Sequence, residues 1–225
     1  MCGRFALYRS PLGLKEHFAS TNEPDLKPRF NIVPTQTVPV AHAEDAGNRV
    51  FTSARWGLIP SWTKDPESLQ HPINARSETA AIKPMFRHAF RKSRILVPGD
   101  AFYEWMQKDG KQPYLIHLKD GKPMGMGGLM EHWNSPEGEI TTFTILTTDA
   151  NPLMAKIHDR MPVIIRPEDY DTWLDPQVGD ITTIQHLTRP YPERFMEAYP
   201  VSRRVNNPKN DSPDLVEHEK SNGLA

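Results

Sequence analysis

Short apolar runs, interrupted by polar turns and by proline, make up most of the chain. Leu12, Leu14 and Phe18 recur at helical spacing and predict a short helix over 11–19. Elsewhere the runs are short, rich in β-branched or aromatic residues, and bounded by turn residues, which predicts strands. The predicted strands cover 37–41, 50–56, 94–97, 102–105, 113–118, 125–130, 141–148 and 163–165, with a hairpin turn at 108–111.

Further short helices are predicted from 77, over 85–90, over 151–158 and over 167–174. Asn151 is a good N-cap, and Pro152 suits the first helical position. Because strands outnumber helices and do not alternate regularly with them, we predict an α+β fold with a curved antiparallel sheet or open barrel at its core. No linker divides the chain, so we expect one domain over 1–210 and a disordered tail over the polar segment 211–225.

Composition narrows the class of protein. The 225 residues include 27 Lys and Arg against 28 Asp and Glu, a formal charge of −1, so any nucleic-acid site has to be a local patch. No stretch approaches the ~20 apolar residues of a membrane span, and the opening residues lack the apolar core of a signal peptide. We therefore expect a cytoplasmic protein that does not bind a membrane.

Cofactor chemistry finds little support in the sequence. The single cysteine excludes an intrachain disulfide and a zinc site built from several cysteines. The chain also lacks the glycine-rich, HExxH and EF-hand motifs. We therefore predict no metal and no nucleotide cofactor.

Cys2 carries the most distinctive chemistry. Removal of Met1 would leave a cysteine whose free amine and thiol lie on one residue, and both groups titrate near pH 8. Together they can close a five-membered thiazolidine on an aldehyde carbon, which neither group can do alone. Arg4 adds a cation two residues away, which we expect to lower the thiol pKa and attract an anion. Alternatively, Cys2 is an ordinary cysteine and Arg4 a solvated charge.

Three further segments carry candidate catalytic residues. Asn74 and Arg76 precede a predicted helix start, a place suited to a phosphate, although a helix cap with a surface arginine would look the same. Glu104 lies between aromatic residues, where its pKa would be raised as a proton donor requires, unless it faces water. His158 can exchange protons near neutral pH beside the fixed charge of Arg160, or can simply end a helix.

Basic and aromatic residues also cluster. Between Glu78 and Asp100 there is no acidic residue, and Trp56 and Trp62 flank a short apolar loop upstream. Cations with flat rings are typical of single-strand binding, although a solvated helix face beside a core tryptophan would give the same pattern. The cations of this window are Lys83, Arg87, His88, Arg91, Lys92 and Arg94.

In this order, these segments resemble the SRAP family (SOS response-associated peptidase, or abasic-site processing proteins). The resemblance covers about 1–210 and is specific because the matching segments keep their order. The segments are Met1–Phe5, Asn31–Pro34, Trp56–Trp62, Ile73–Thr79, Phe102–Trp105, Ile157–Pro162 and Pro200–Ser202.

The resemblance implies an enzyme of the DNA-damage (SOS) response that detects abasic sites in single-stranded DNA and attaches to them through mature Cys2. It also implies lyase activity at the abasic site and autoproteolytic removal of Met1. Glu104 would act as acid and base, His158 would stabilise the opened sugar, and Asn74 would orient the terminal cysteine. The DNA-binding residues would be Arg4, Trp62, Arg76, Arg160, Ser202 and Arg203.

Two rival functions remain open. An N-terminal-nucleophile glutamine amidohydrolase also begins Met-Cys-Gly, and it predicts glutamine hydrolysis. A non-catalytic single-strand-binding module predicts salt-sensitive binding that is unchanged in Cys2→Ala. We expect a monomer whose partner is single-stranded DNA with abasic sites, nucleoid-associated when bound.

Overall fold

A computed structural model describes residues 2–44, 47–106 and 111–219, which form two β-sheets with short helices around them. The strands are β1 Phe5–Leu7, β2 Arg29–Ile32, β3 Thr37–Ala43, β4 Arg49–Trp56, β5 Asn74–Arg76, β6 Arg94–Gly99, β7 Ala101–Met106, β8 Gln112–Leu118, β9 Met124–Ser135, β10 Gly138–Asp149, β11 Arg160–Pro162, β12 Ile164–Ile165 and β13 Met196–Pro200. The helices are α1 Pro11–Phe18, α2 Ser77–Ala80, α3 Arg87–Lys92, α4 Tyr170–Leu174 and α5 Ile181–Leu187.

The larger sheet closes on itself. Its order is β11-β10-β4-β3-β6-β9-β12, and β9 also pairs with β10, so β10, β4, β3, β6 and β9 form a five-stranded ring. Most of its pairs are antiparallel, but β4 and β5 both run parallel to β10. Closure leaves these five strands without a free edge, which is how small barrels avoid edge-to-edge association. The predicted α+β fold with a barrel core is confirmed.

The smaller sheet brings the start of the chain into the core. Its order is β13-β8-β7-β1-β2, with every pair antiparallel. The strand β1, which lies between β7 and β2, places Phe5 opposite Phe102 of β7 and Ile32 of β2. Because Phe5 is fully buried, the residues immediately before it are fixed within the fold.

Some predicted elements differ in the structure. The helix predicted over 151–158 is wrong: only Met154–Lys156 winds, as a 3₁₀ turn, although the Asn151 side chain does accept a hydrogen bond from the Met154 amide. The Ala150 amide donates a hydrogen bond of 3.1 Å to the Asp159 carbonyl, so the ends of this segment are held together. A continuous eight-residue helix would separate them by about 12 Å. The helix predicted over 85–90 is α3, shifted to Arg87–Lys92. The predicted turn at 108–111 lies mostly outside the described residues.

The segment after residue 201 packs against the smaller sheet. Val205 and Leu215 are fully buried in a second hydrophobic cluster. Asp211 accepts hydrogen bonds from the Phe30 amide and from Arg29, the latter also an ion pair. The disordered tail predicted over 211–225 is therefore wrong for 211–219, because buried Leu215 gives this polar segment an apolar anchor; residues 220–225 lie outside the described residues.

No helix in the described part of the chain is long and apolar enough to cross a membrane.

Candidate active site

Cys2 lies at the entrance to β1, where the two sheets meet. Its side chain is fully buried, and its carbonyl oxygen accepts a hydrogen bond of 2.8 Å from Asn74 Nδ2. Asn74 begins β5, which pairs parallel with β10 so that Asn74 lies opposite Ile145. The strand β5 therefore fixes the amide that holds the backbone of Cys2, and the structure brings together two of the predicted catalytic residues.

Glu104 is the carboxylic acid of this cluster. It lies on β7 opposite Tyr114, and only 3% of its surface is exposed. Burial raises the pKa of the Glu104 carboxyl above its ordinary value, and the nearby His158 opposes this rise. A carboxyl group held protonated in a protein interior is suited to donate a proton.

The thiol of Cys2 is held in its neutral form. Burial, followed by the charge of Glu104, raises the pKa of the Cys2 thiol to about 12. Arg4 does lower this pKa, but through a backbone hydrogen bond, and desolvation outweighs that effect, so the net shift of the thiol pKa is upward. In the buried state Cys2 is therefore a poor thiolate nucleophile.

His158 completes the cluster from the loop that precedes β11. Its Nδ1 lies 2.8 Å from Asp159 Oδ1 and 3.0 Å from the Arg160 amide nitrogen. The side chain is 21% exposed, so it lies between the buried carboxyl of Glu104 and solvent. A histidine in this position can exchange protons with water on behalf of a buried group.

Arg4 is bound within the protein. Its Nη1 donates to Asn31 Oδ1 at 2.7 Å and to the Val205 carbonyl at 2.5 Å, and its guanidinium lies over the Trp105 ring at 5.7 Å. Burial lowers the pKa of Arg4. Its Nε is buried and has no hydrogen-bond partner within the described residues.

Asn31 connects Arg4 to the C-terminal segment and was given no role by the sequence. It is fully buried, and its Nδ2 faces the carbonyl oxygens of Val205, Asn207 and Asn210 at 3.3, 3.1 and 2.7 Å. An asparagine between the apolar residues Phe30 and Ile32 is the signal that could have indicated this amide.

Arg160 is also neutralised by the protein. Its guanidinium donates to both carboxylate oxygens of Glu78 at 2.7 and 2.9 Å, to Asp149 at 2.5 Å and to the Thr147 carbonyl at 2.7 Å. This arrangement ties β11, β10 and α2 together around the cluster. A phosphate would have to compete with two carboxylates for Arg160.

The remaining predicted DNA-binding residues lie nearer the surface. Arg76 is exposed at the start of α2, and Trp62 is 58% exposed. Ser202 is half-buried and its hydroxyl caps a 3₁₀ turn by accepting from the Arg204 amide, whereas Arg203 is exposed. Trp56, by contrast, is fully buried and packs on Phe5, so it is a core residue.

Nothing in the described residues forms a metal centre. No group of three or more His, Cys, Asp or Glu side chains there is placed to hold an ion.

The fold and this cluster define a class of protein in which a cysteine beside the chain start is built into the meeting point of two sheets. The model of the family described as SOS response associated peptidase (SRAP) matches residues 1–208. The chain belongs to this family, as its motifs suggested.

Curated relatives and solved structures agree with this assignment. The chain is 43% identical over 223 residues to "Abasic site processing protein YoqW" of Bacillus subtilis, covering 96% of this chain and 99% of that protein. It is 31% identical to "Abasic site processing protein HMCES" of Gallus gallus, covering 96% of this chain and 77% of that protein. A crystal structure of a Bacteroides thetaiotaomicron protein superposes with a TM-score of 0.87 at 26% identity, covering 96% and 99% of the two chains.

Proposed function

We propose that the protein processes abasic sites in single-stranded DNA by forming a covalent crosslink through the mature amino-terminal Cys2. The observation that carries this proposal is that Cys2, Asn74, Glu104 and His158 belong to one cluster at the meeting point of the sheets. Relatives that match this chain over almost their whole length are named abasic site processing proteins, which supports the same substrate.

The first step is hydrolysis of the Met1–Cys2 peptide bond, with water as co-reactant. Before this step the Cys2 nitrogen is an amide, which cannot condense with an aldehyde. Afterwards it is a primary amine with a pKa of about 8, partly uncharged near neutral pH. We propose that Met1 removal also makes the fully buried thiol reachable, and that the protein's own site contributes to this cleavage.

The second step joins this amine to the ring-opened deoxyribose. The amine nitrogen bonds to the aldehyde carbon, and the oxygen leaves as one molecule of water, giving an imine. The thiol sulfur then adds to the same carbon while its proton passes to the nitrogen, which closes a thiazolidine. Because the thiol has to give up its proton in this addition, its raised pKa slows the step unless a neighbouring base accepts that proton.

Each member of the cluster has a proposed role in these steps. Glu104, whose pKa is raised by burial, donates a proton to the departing oxygen and, as the resulting carboxylate, takes up the thiol proton and passes it to the nitrogen. His158 exchanges protons with solvent, stabilises the opened sugar, and assists any strand cleavage by lyase chemistry. Asn74 holds the Cys2 backbone so that nitrogen and sulfur face the same carbon.

The preference for single-stranded DNA follows from how accessible the sugar aldehyde is. A duplex hides its sugars, whereas an abasic nucleotide in a single strand exposes its aldehyde and has no base to extrude. We propose that exposed Arg76 and Arg203, with Ser202, contact phosphates, and that Trp62 stacks on a base beside the lesion. We propose that Arg4 contributes its positive charge beside Cys2, and that Arg160 contributes mainly by its ion pairs. The chemistry requires only one copy of the chain, and acting on DNA would place it at the nucleoid.

The test is a denaturing gel after incubation with a single-stranded oligonucleotide that carries one abasic site. A heat-stable shifted band is expected for the wild type and its absence for Cys2→Ala. A matched oligonucleotide without the lesion should give no band with either protein. A band that persists in Cys2→Ala, or no band with the wild type, contradicts the proposal.

A further inference from the structure

The loop that carries His158 is closed on itself. It runs from the end of β10 to the start of β11, and the hydrogen bond from the Ala150 amide to the Asp159 carbonyl joins its two ends. A compact loop with adjacent ends keeps its shape through its own side chains. The position of His158 therefore depends on what fixes the inside of residues 150–159, which we name the His158 loop.

Asn151 is a buried polar residue inside the His158 loop. Only 4% of its surface is exposed, and its Oδ1 accepts a hydrogen bond of 2.9 Å from the Met154 amide. The Met154 carbonyl in turn accepts from the His158 amide at 2.8 Å. Two hydrogen bonds therefore connect the side chain of Asn151 to the backbone of His158 through Met154, which is fully buried.

The nitrogen of the same side-chain amide reaches the smaller sheet. Asn151 Nδ2 donates to the Tyr191 carbonyl at 2.7 Å and lies 3.2 Å from the sulfur of Met196, the first residue of β13. The strand β13 pairs with β8, and β8 pairs with β7, which carries Glu104. Because β10 and β11 belong to the larger sheet, Asn151 joins the two sheets between which the cluster lies.

This amide is unfavourable to lose because both of its ends are in use. An asparagine offers an acceptor oxygen and donor hydrogens, and Asn151 uses the oxygen within its own loop and a hydrogen on the opposite sheet. Truncation would take the acceptor away from the buried Met154 amide, so the loop would move until that amide finds water or another partner. A displacement of ~1 Å can slow a reaction by about 10²-fold, so even a small movement of His158 matters.

We propose that Asn151 is a positioning residue for His158, an inference that rests on the proposed function. It sets the place of the imidazole relative to the carboxyl of Glu104, because it ties the loop that bears the imidazole to the sheet that bears the carboxyl. Asn151 is uncharged and buried, so it has no part in phosphate binding. Its effect on crosslink formation passes through His158 alone.

The bond to the smaller sheet is the part of this role that a simple loop cap would not supply. An aspartate at position 151 keeps an oxygen for the Met154 amide, but it has no hydrogen to donate to the Tyr191 carbonyl. Asn151→Asp therefore separates the two ends of the amide. We expect it to misplace the His158 loop, as Asn151→Ala does.

The experiment measures chemistry, binding and loop order in the full chain. Single-turnover rates of adduct formation with an abasic single strand are compared for Asn151→Ala, Asn151→Asp, His158→Ala and the double variant Asn151→Ala/His158→Ala. Affinity for a lesion-free single strand and hydrogen exchange of residues 151–160, the latter read by mass spectrometry, are measured alongside. Asn22→Ala is the matched control, because Asn22 also uses Nδ2 and Oδ1 to bond backbone atoms, those of Phe51 on β4.

Both single variants of Asn151 are expected to form the adduct about 10–100-fold more slowly than the wild type. Exchange of residues 151–160 should be faster in both, whereas affinity for the lesion-free strand should stay at the wild-type value. The double variant should react at the rate of His158→Ala, because a positioning residue has no effect once the group it positions is gone. Asn22→Ala should match the wild type in rate, affinity and exchange of this segment.

Three results would overturn the inference: rate losses that multiply in the double variant, a wild-type rate for Asn151→Asp, or unchanged exchange of residues 151–160 in both Asn151 variants. A loss of lesion-free affinity as large as the loss of rate would also overturn it, because Asn151 would then act on DNA binding. If the wild type forms no adduct while exchange still rises in both variants, the proposed function fails and the hold of Asn151 on the His158 loop stands.

Discussion

The cluster around Cys2 and the exposed face of α3, formed by Arg87, His88, Arg91 and Lys92, handle charge in opposite ways. At the cluster, ionisable groups are buried, so desolvation moves the pKa of Glu104 upward and that of the Cys2 thiol to about 12. On α3 the cations are in water, without ion-pair partners in the described chain apart from His88 with Glu131. Burial tunes proton transfer, whereas exposure offers long-range attraction to phosphates.

The largest expected effect separates the two regions by blocking the amino terminus. A chain extended by a few residues before Met1, with no cleavage site, keeps the Cys2 nitrogen as an amide. We expect it to give no adduct on a denaturing gel while it retains wild-type affinity for a lesion-free single strand. A wild-type yield of adduct from an extension that mass spectrometry shows to be intact would mean that the amine is not required.

Glu104→Gln is expected to have the next largest effect. Loss of a positioned acid and base lowers rates by about 10²–10⁴-fold, so single-turnover adduct formation should slow by this order. Because the carboxyl pKa is raised, the wild-type rate should fall as pH rises through that pKa, and this limb should be missing in the variant. An identical pH profile in both proteins would remove Glu104 from proton transfer.

The same substitution slows the reaction but should raise stability relative to wild type as pH rises. Between the ordinary pKa of 4.5 and the raised folded value, the folded state binds more protons than the unfolded one, so wild-type stability falls as pH rises. Glu104→Gln has no such loss. Its Tm relative to wild type should therefore be more favourable at pH 8 than at pH 4, and a constant difference would contradict the raised pKa.

Asn31→Ala tests the connection between Arg4 and the C-terminal segment. The substitution removes the side-chain oxygen that accepts from Arg4, and it takes the Asn31 donor away from carbonyl oxygens of the C-terminal segment. We therefore expect a loss of about 1–3 kcal/mol in the free energy of unfolding by urea. Asn134→Ala, at an exposed position on β9, is the control and should change stability by less than about 0.5 kcal/mol. Equal effects of both changes would show that the Asn31 contacts contribute little.

The smallest effect is expected at Arg76. If this exposed arginine holds one phosphate, Arg76→Gln should make the salt slope of single-strand binding shallower by about 0.7, with little change in Tm. Arg160→Gln should instead lower Tm, because it breaks the ion pairs to Glu78 and Asp149. Should Arg160→Gln change the slope while leaving Tm intact, its ion pairs would not be its main role.

The sequence predicted the strands well because their apolar runs are short and bounded by turn residues, as in 94–97 and 113–118. It could not show that β9 pairs with both β6 and β10, since closure of the barrel depends on long-range register. Polar Asn31 and Glu78 gave no sign that they would hold Arg4 and Arg160. The buried tail residue Leu215 was missed because one apolar side chain in a polar segment has no periodicity to reveal it.

Two kinds of sequence information predicted the candidate site: the chemistry of single residues and the family resemblance. The aminothiol argument for Cys2 follows from the residue itself, and the raised pKa expected for Glu104 agrees with its burial between Tyr103 and Trp105. The grouping of Asn74, Glu104 and His158 with Cys2 came from the family resemblance, because residues so distant in sequence meet only through the pairing of β5, β7 and β11 with other strands.

Intact mass spectrometry of the denatured adduct, with and without borohydride, tests the central claim most directly. The predicted mass is that of the chain without Met1 plus the abasic oligonucleotide minus one water, and borohydride treatment of the finished adduct should leave it unchanged, because a thiazolidine has no imine to reduce. A mass that includes Met1, or a gain of two hydrogens on reduction of the finished adduct, would contradict a thiazolidine formed by a processed Cys2.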